Sequence, residues 1–193
     1  MFVKIGEVKK IIPIFELTAV SGSNQPANDD IQVISNSTSD TQKITLFGID
    51  NSDAFQTKEL TLNGTTAVDS VLNPKWKTLY GAFLGDIYGN ISARAVGTIT
   101  LREKSAAQTI ATIAATKLST GRLYFNLPGE NIILENIAGN SWFNHLGIAT
   151  TTGKCGQLTG RMAIQIIAES DEYVSLISDG SGSTMQIYVL DKV

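Results

Sequence analysis

The sequence predicts an all-β chain, an antiparallel β-sandwich of jelly-roll-like character, and three observations predict it. Short segments alternate apolar with polar residues, the pattern of a half-buried strand. Clusters of Gly, Asn, Asp, Ser and Pro punctuate them roughly every eight to twelve residues, as in sandwiches and barrels. No periodic segment reaches the roughly 10–12 residues at which a helix becomes the better reading. A chain of 193 residues accommodates one large all-β domain or two small ones. The pattern breaks near residues 114–120. It divides the chain into an N-terminal arm or edge strand with its loop (1–29), a first sandwich-like region (30–116) and a second (117–193).

Residues 1–12 mix Val3, Ile5 and Val8 with lysines and end at Ile11-Ile12, just before Pro13. Proline is confined to strand edges and ends, so this segment is an edge strand or an extended arm. "SGSNQPANDD", residues 21–30, is turn chemistry. "DIQVIS" then places Ile31 and Val33 on one face. "QKITLFGI" does the same with Ile44 and Leu46; Gly48 closes it, and Ile49-Asp50-Asn51-Ser52 turns the chain. In "KELTLNGTTAVDS", Lys58, Leu60 and Leu62 alternate with Glu59 and Thr61. Asn63-Gly64 then supplies the two positive-φ positions of a type I′ turn, which predicts a β-hairpin centred there.

"NPKWKTLYGAFLGDIYGN" is ambiguous, because Trp76, Leu79, Tyr80 and Phe83 have helical spacing. Pro74, Gly81, Gly85 and Gly89 interrupt it, and each helical glycine costs about 1 kcal/mol, so a strand with turns is expected. "GTITLRE" puts Ile99 and Leu101 on one face. "QTIATIAA" fits a short helix or a strand, and Thr109, Ile110, Thr112 and Ile113 favour the strand. A second series follows in "GRLYFNLP", "NIILENI", "RMAIQIIAES", "YVSLIS" and "TMQIYVLD", separated by Pro128-Gly129, "TTTGKCGQLTG", Asp171-Glu172 and "DGSGS".

Composition narrows the partners. Hydrophobic residues make up 42% of the chain, enough for a real core, while charged residues make up only 17%. An ordinary domain carries roughly 25% charged residues, so this surface is wet but weakly charged. The net charge of −3 gives no basic footprint for nucleic acid. Lys4, Lys9 and Lys10, and the pair Lys75 and Lys77, read as solvated lysines; a basic arm docking on an acidic partner is the lesser reading, and Glu7 weakens it. The single cysteine, Cys155, excludes an internal disulfide and a cysteine-based metal site, which fits a reducing cytoplasm. "MFVKIGEVKKIIPIF" lacks the apolar core and cleavage site of a signal peptide. Apolar runs fall far short of the roughly 20 residues of a membrane span, so a soluble protein with no membrane partner is expected.

Little in the chain reads as chemistry. His145, in "SWFNHLG", is the only histidine, and no G-x-S-x-G or other triad element accompanies it. Cys155 beside Lys154 reads as a loop thiol, and with His145 it makes poor zinc-binding material. "DGSGST", residues 179–184, lacks the ending of a P-loop and reads as a hairpin. The acidic pairs Asp29-Asp30 and Asp171-Glu172 sit in turns and lack the spacing of a calcium loop. Trp76, Tyr80, Phe83 and Tyr88 are candidates for a sugar-stacking platform, but with 7% aromatics most belong to the core. No catalytic residue, cofactor or metal is assigned.

The stretch "DIQVISNSTSDTQKITLFGIDNSDAFQTKELTLNGTTAVDSV" resembles a segment recurring in virion structural proteins of tailed bacteriophages. There an "IQVVSSS"-like strand leads to a "VTI-GLD-NG" strand and turn, and then to "ETVTLNGTTAVTT". The matching residues are Ile31 to Ser35, Ile44 to Asp50 and Glu59 to Val68. Trp76 to Phe83, Gly97 to Leu101 and Leu127-Pro128-Gly129 continue the pattern in the same order, so the resemblance covers roughly residues 30–135. The insert "GDIYGNISARAV" is longer than that pattern, and the last sixty or so residues match only in general β character.

The resemblance implies a non-enzymatic capsid-surface protein, such as a decoration (cement) protein or the base of a head fibre. Its partners would be the major capsid protein or other virion proteins, and it would form a homo-oligomer, with a trimer as one arrangement. Its place would be the virion, after synthesis in the host cytoplasm. A tail or fibre component touching the host and a carbohydrate-binding module are the alternatives. Candidate contact residues are Phe2, Val3 and Ile5 in the N-terminal arm and Trp142 and Phe143, with residues 2–8 and 185–190 as unpaired edges able to add a strand to a neighbour.

Overall fold

The computed structural model describes residues 8–17, 24–88, 90–121, 123–126, 131–145, 156–159, 162–167, 173–178 and 183–190, and every regular element among them is a strand. The first eight are β1 (Val8–Leu17), β2 (Ile31–Ser35), β3 (Lys43–Asp50), β4 (Phe55–Thr61), β5 (Val68–Ser70), β6 (Trp76–Leu84), β7 (Ile99–Glu103) and β8 (Thr109–Ile113). The rest are β9 (Leu123–Asn126), β10 (Asn131–Ala138), β11 (Asn140–His145), β12 (Gly156–Thr159), β13 (Met162–Ile167), β14 (Tyr173–Ser178) and β15 (Ser183–Leu190).

Strands β2 to β8 form an antiparallel sandwich, one sheet ordered β5-β2-β7-β8 and the other β4-β3-β6. The reason lies in the alternation. Ile31 and Val33 from β2, and Ile99 and Leu101 from β7, meet Ile44 and Leu46 from β3 and Leu60 from β4 in one buried cluster. Burying that apolar surface is the main favourable term holding two sheets face to face. The remaining strands make two further antiparallel sheets, β1-β15-β10-β13 and β12-β11-β14-β9. β1 runs through Pro13, where its pairing with β15 shifts register between Ile12 and Phe15. A proline in an edge strand at a bulge leaves no ladder hydrogen bond unmade.

Three expectations need correction. The first is the hairpin at Asn63-Gly64. A tight turn is present, with Thr66 N donating to Asn63 O at 3.0 Å, but only Gly64 has a positive φ, of 56°. It joins β4 of one sheet to β5 of the other. The alternation of Leu60 and Leu62 states which face is buried and is silent on which strand accepts the ladder. Val68 to Ser70 pair with Ile31 to Val33 instead of turning back on β4. The hairpin in this region is β3–β4, closed by Asp50 Oδ1, which accepts from Ser52 N and Ala54 N.

The second concerns Gly48, which does not end its strand; β3 continues to Asp50. The third concerns residues 185–190, which belong to β15, an inner strand paired with both β1 and β10 and so no free edge.

The ambiguous aromatic stretch is one continuous strand, β6. Its helix-like spacing comes from two register shifts against β3, one between Phe47 and Gly48 and one between Ile49 and Asp50. Each bulge adds a residue and reverses the alternation, so the core face recurs at Trp76, Leu79 and Ala82. Tyr80 and Phe83 face away from that core and are buried too; Phe83 packs on Phe47 at 6.5 Å between ring centroids and Tyr80 on Phe55 at 6.3 Å.

The outer edge of β6 is covered along its length. Trp76 N donates to Asp29 O and Leu79 N to Gln25 Oε1. Further along, Leu84 N donates to Leu118 O, and Thr120 N donates to Ala82 O. Irregular segments thus satisfy groups that an open edge would offer to another chain.

Candidate functional site

Strand order brings three connections to one end of the sandwich: residues 36–42, 62–67 and 85–98. Asp40, fully buried, ties them together through its carboxylate and its backbone carbonyl. Its Oδ2 accepts from Ser35 Oγ at 2.6 Å and Gly97 N at 2.9 Å, and its Oδ1 from Val96 N at 2.8 Å and Gln42 Nε2 at 3.1 Å. Its backbone carbonyl accepts from Gly64 N at 2.8 Å. Burial alone would raise the Asp40 pKa, but these donors outweigh it and hold the carboxyl below the usual range. The group is a satisfied buried anion that fixes loops.

The 85–98 connection is long and ordered by its own hydrogen bonds. Asp86 Oδ1 accepts from Tyr88 N at 3.0 Å and Asn90 N at 2.9 Å, and its Oδ2 from Asn90 Nδ2 at 2.9 Å. Glu59 reaches across from β4: Oε2 accepts from Ile87 N at 3.1 Å, and Oε1 pairs with Lys43 Nζ at 2.6 Å. These contacts lower both carboxyls, through the Asn90 side chain at Asp86 and Lys43 at Glu59. Further on, Arg94 Nη1 donates to Thr116 O at 2.9 Å.

What this scaffold presents is apolar. Among the described residues the exposed large hydrophobic side chains are Val71, Ile87, Tyr88, Ile91 and Val96, and four of these five belong to the 85–98 connection. Tyr88 is 83% exposed. Scattered apolar side chains on a surface are ordinary, whereas several on one loop single that loop out as the candidate site.

The opposite end is polar and internally paired. Asp29 Oδ2 accepts from Ser105 N and Ser105 Oγ, both at 2.7 Å. Asp30 pairs with Lys75 and accepts from Leu72 N, while Asp69 pairs with Lys104 at 2.7 Å. The Asp29-Asp30 pair therefore joins turns. Among the described residues no group of three His, Cys, Asp or Glu side chains is placed to hold a metal ion.

The sequence-predicted residues fall as follows. Phe2, Val3 and Ile5 lie outside the described residues, as do Cys155, Asp171-Glu172 and residues 179–182. Trp142 and Phe143 occupy adjacent positions of β11, an inner strand, opposite Gln157 and Gly156 on one side and Ile177 and Leu176 on the other. His145 ends that strand opposite Val174. The four aromatics proposed as a platform do not form one: Trp76, Tyr80 and Phe83 are buried and Tyr88 alone is exposed.

No family model, curated protein or solved structure matches this chain significantly. Site and function therefore rest on the residues themselves. The apolar loop escaped the sequence reading, although its length against the phage-like pattern was a visible signal. Asp40 left none, because a lone acid in "SDTQK" looks like any turn residue.

Proposed function

We propose that this chain is a non-enzymatic structural protein of a tailed-bacteriophage virion, placed on the head surface as a decoration (cement) protein. The observation that supports this reading is the resemblance of Ile31 to Ser35, Ile44 to Asp50 and Glu59 to Val68 to a segment of such proteins. Those residues build β2, β3, β4 and the corner into β5, so the resemblance spans consecutive strands of both sandwich sheets. A weakly charged sandwich suits the role, since low charge limits the cost of desolvating ions when broad surfaces are buried. Its partners are the major capsid protein or other virion proteins, and copies of itself, with a trimer as one arrangement.

Quantitative mass spectrometry of purified particles of the parent virus, scaled to the major capsid protein, tests the reading. One copy per capsid subunit, or a fixed simple fraction of that, is expected. A handful of copies per particle would move the protein to a tail or fibre. Absence from the particle would end the structural reading.

A further inference from the structure

We infer that the described residues of the 85–98 connection, all but Gly89, form the anchor by which this protein docks, with Tyr88, near Ile87 and Ile91, entering an apolar pocket on the shell protein. The inference rests on the virion reading and deepens it by naming the surface and the chemistry of its partner.

The loop is built for presentation. The backbone N–H groups of Ile87, Tyr88 and Asn90 are taken by the carboxylates of Glu59 and Asp86, and those of Val96 and Gly97 by Asp40. These bonds order the described residues around Tyr88 and Val96, and ordering ahead of binding lowers its entropic cost. These five backbone donors are satisfied internally while the side chains of Ile87, Tyr88, Ile91 and Val96 remain exposed. Tyrosine is one of the residue types enriched at the energetic centre of interfaces.

Charge and area select the partner. The side chains of Lys43, Arg94 and Lys117 stand against those of Asp40, Glu59 and Asp86, so this end carries no net charge. Within that balance Lys43 and Glu59 are in direct contact. An anionic membrane surface is recognised by clustered Lys and Arg, which this end lacks. One tyrosine and two isoleucines bury on the order of 400 Å², against about 800 Å² per partner for a stable free-standing interface. The patch is too small to hold two free copies together. Three such anchors carried on one trimer, as proposed above, suffice on a repeating shell, because linked attachments act together.

The test uses shells of the parent virus assembled without this protein, and the full chain carrying Tyr88→Ser, Ile87→Ser or, as control at the other end of the sandwich, Val71→Ser. All three positions are exposed, so unchanged urea midpoints are expected. Cosedimentation is expected to weaken on the order of thirtyfold for Tyr88→Ser and severalfold for Ile87→Ser, with Val71→Ser unchanged. Wild-type binding that survives both loop substitutions overturns the anchor and leaves the virion reading standing. A wild-type chain that does not sediment with shells overturns both. Flotation with anionic vesicles, or self-association in analytical ultracentrifugation, lost in Tyr88→Ser would overturn the shell protein as partner.

Discussion

The hydroxyl of Ser35 donates a 2.6 Å hydrogen bond to Oδ2 of Asp40, and both residues are buried where β2 leaves its sheet. Gly97 N shares that oxygen, and Val96 N and Gln42 Nε2 take the other. Asp40→Asn turns an NH2 group toward a backbone N–H whichever way the amide lies, leaving a buried donor unmatched. The expected cost is about 1–3 kcal/mol, read as a lower urea midpoint at unchanged slope. A midpoint equal to wild type would show that Asp40 does not hold these loops together.

Acid should reveal the same carboxylate. Its burial favours the neutral form, its four donors favour the anion, and the donors win, so the native pKa lies below the unfolded one. The native state then binds fewer protons than the unfolded state. The resulting stability is complete above the unfolded value of about 3.9 and is lost as pH falls through the native value. Asp86 and Glu59 are shifted the same way, by the Asn90 side chain and Lys43 respectively. Urea midpoints are expected to fall below about pH 4, and to fall less steeply in Asp40→Asn. Parallel pH profiles for the two proteins would remove Asp40 from the account.

Strand content was legible because alternation is local. Ile31 and Val33, or Ile99 and Leu101, declare a buried face whatever they pair with. Pairing was not legible for the opposite reason. Asn63-Gly64 shows that the chain turns, but the destination of Val68 to Ser70 is decided by β2, far away in sequence. β6 resisted because its two bulges reverse the alternation twice, and a pattern repeating at three looks helical until the partner strand is known.

The candidate site was less legible than the fold. Ile87, Tyr88, Ile91 and Val96 follow no strand period, and sequence alone does not tell an exposed apolar loop from a buried one. The difference is made by Asp86 and Glu59, whose carboxylates hold the loop outward by backbone hydrogen bonds that no motif encodes.

Ser70 is expected to matter more than its size suggests. Its Oγ accepts from the indole Nε1 of Trp76 at 2.9 Å and from Ile31 N at 3.0 Å, linking β5 to strands of both sheets. Ser70→Ala removes the acceptor from two buried donors, and Nε1 keeps only a long 3.4 Å contact with Ser70 O. The predicted loss is about 1–3 kcal/mol in urea unfolding. Removing the indole N–H as well, in Ser70→Ala with Trp76→Phe, should recover part of the N–H term in a double-mutant cycle. Strict additivity would show that the two residues are not coupled.

Gly48 gives the sharpest test of the bulged register. A Cβ there would lie 2.1 Å from the carbonyl oxygen of Thr78 and 3.1 Å from Leu79 Cα, both backbone atoms of β6. That approach exists because β3 and β6 shift register between Phe47 and Gly48, which draws the β6 backbone onto the glycine. No side-chain rotation relieves the contact, so Gly48→Ala has to move a central strand or its partner. The expected destabilisation is about 2–3 kcal/mol, the upper part of the range for overpacked sites. Gly64→Ala makes the comparison, because its Cβ would meet the backbone of Thr38 at 2.9 Å, but in the connection between β4 and β5 and with a φ of 56° to strain. Both should lower the urea midpoint. Only Gly48→Ala should also change the near-ultraviolet signal of Tyr80 and Trp76, which β6 carries into buried sites on its two faces. A Gly48→Ala protein with wild-type stability and spectrum would mean that the two strands pair without the bulge.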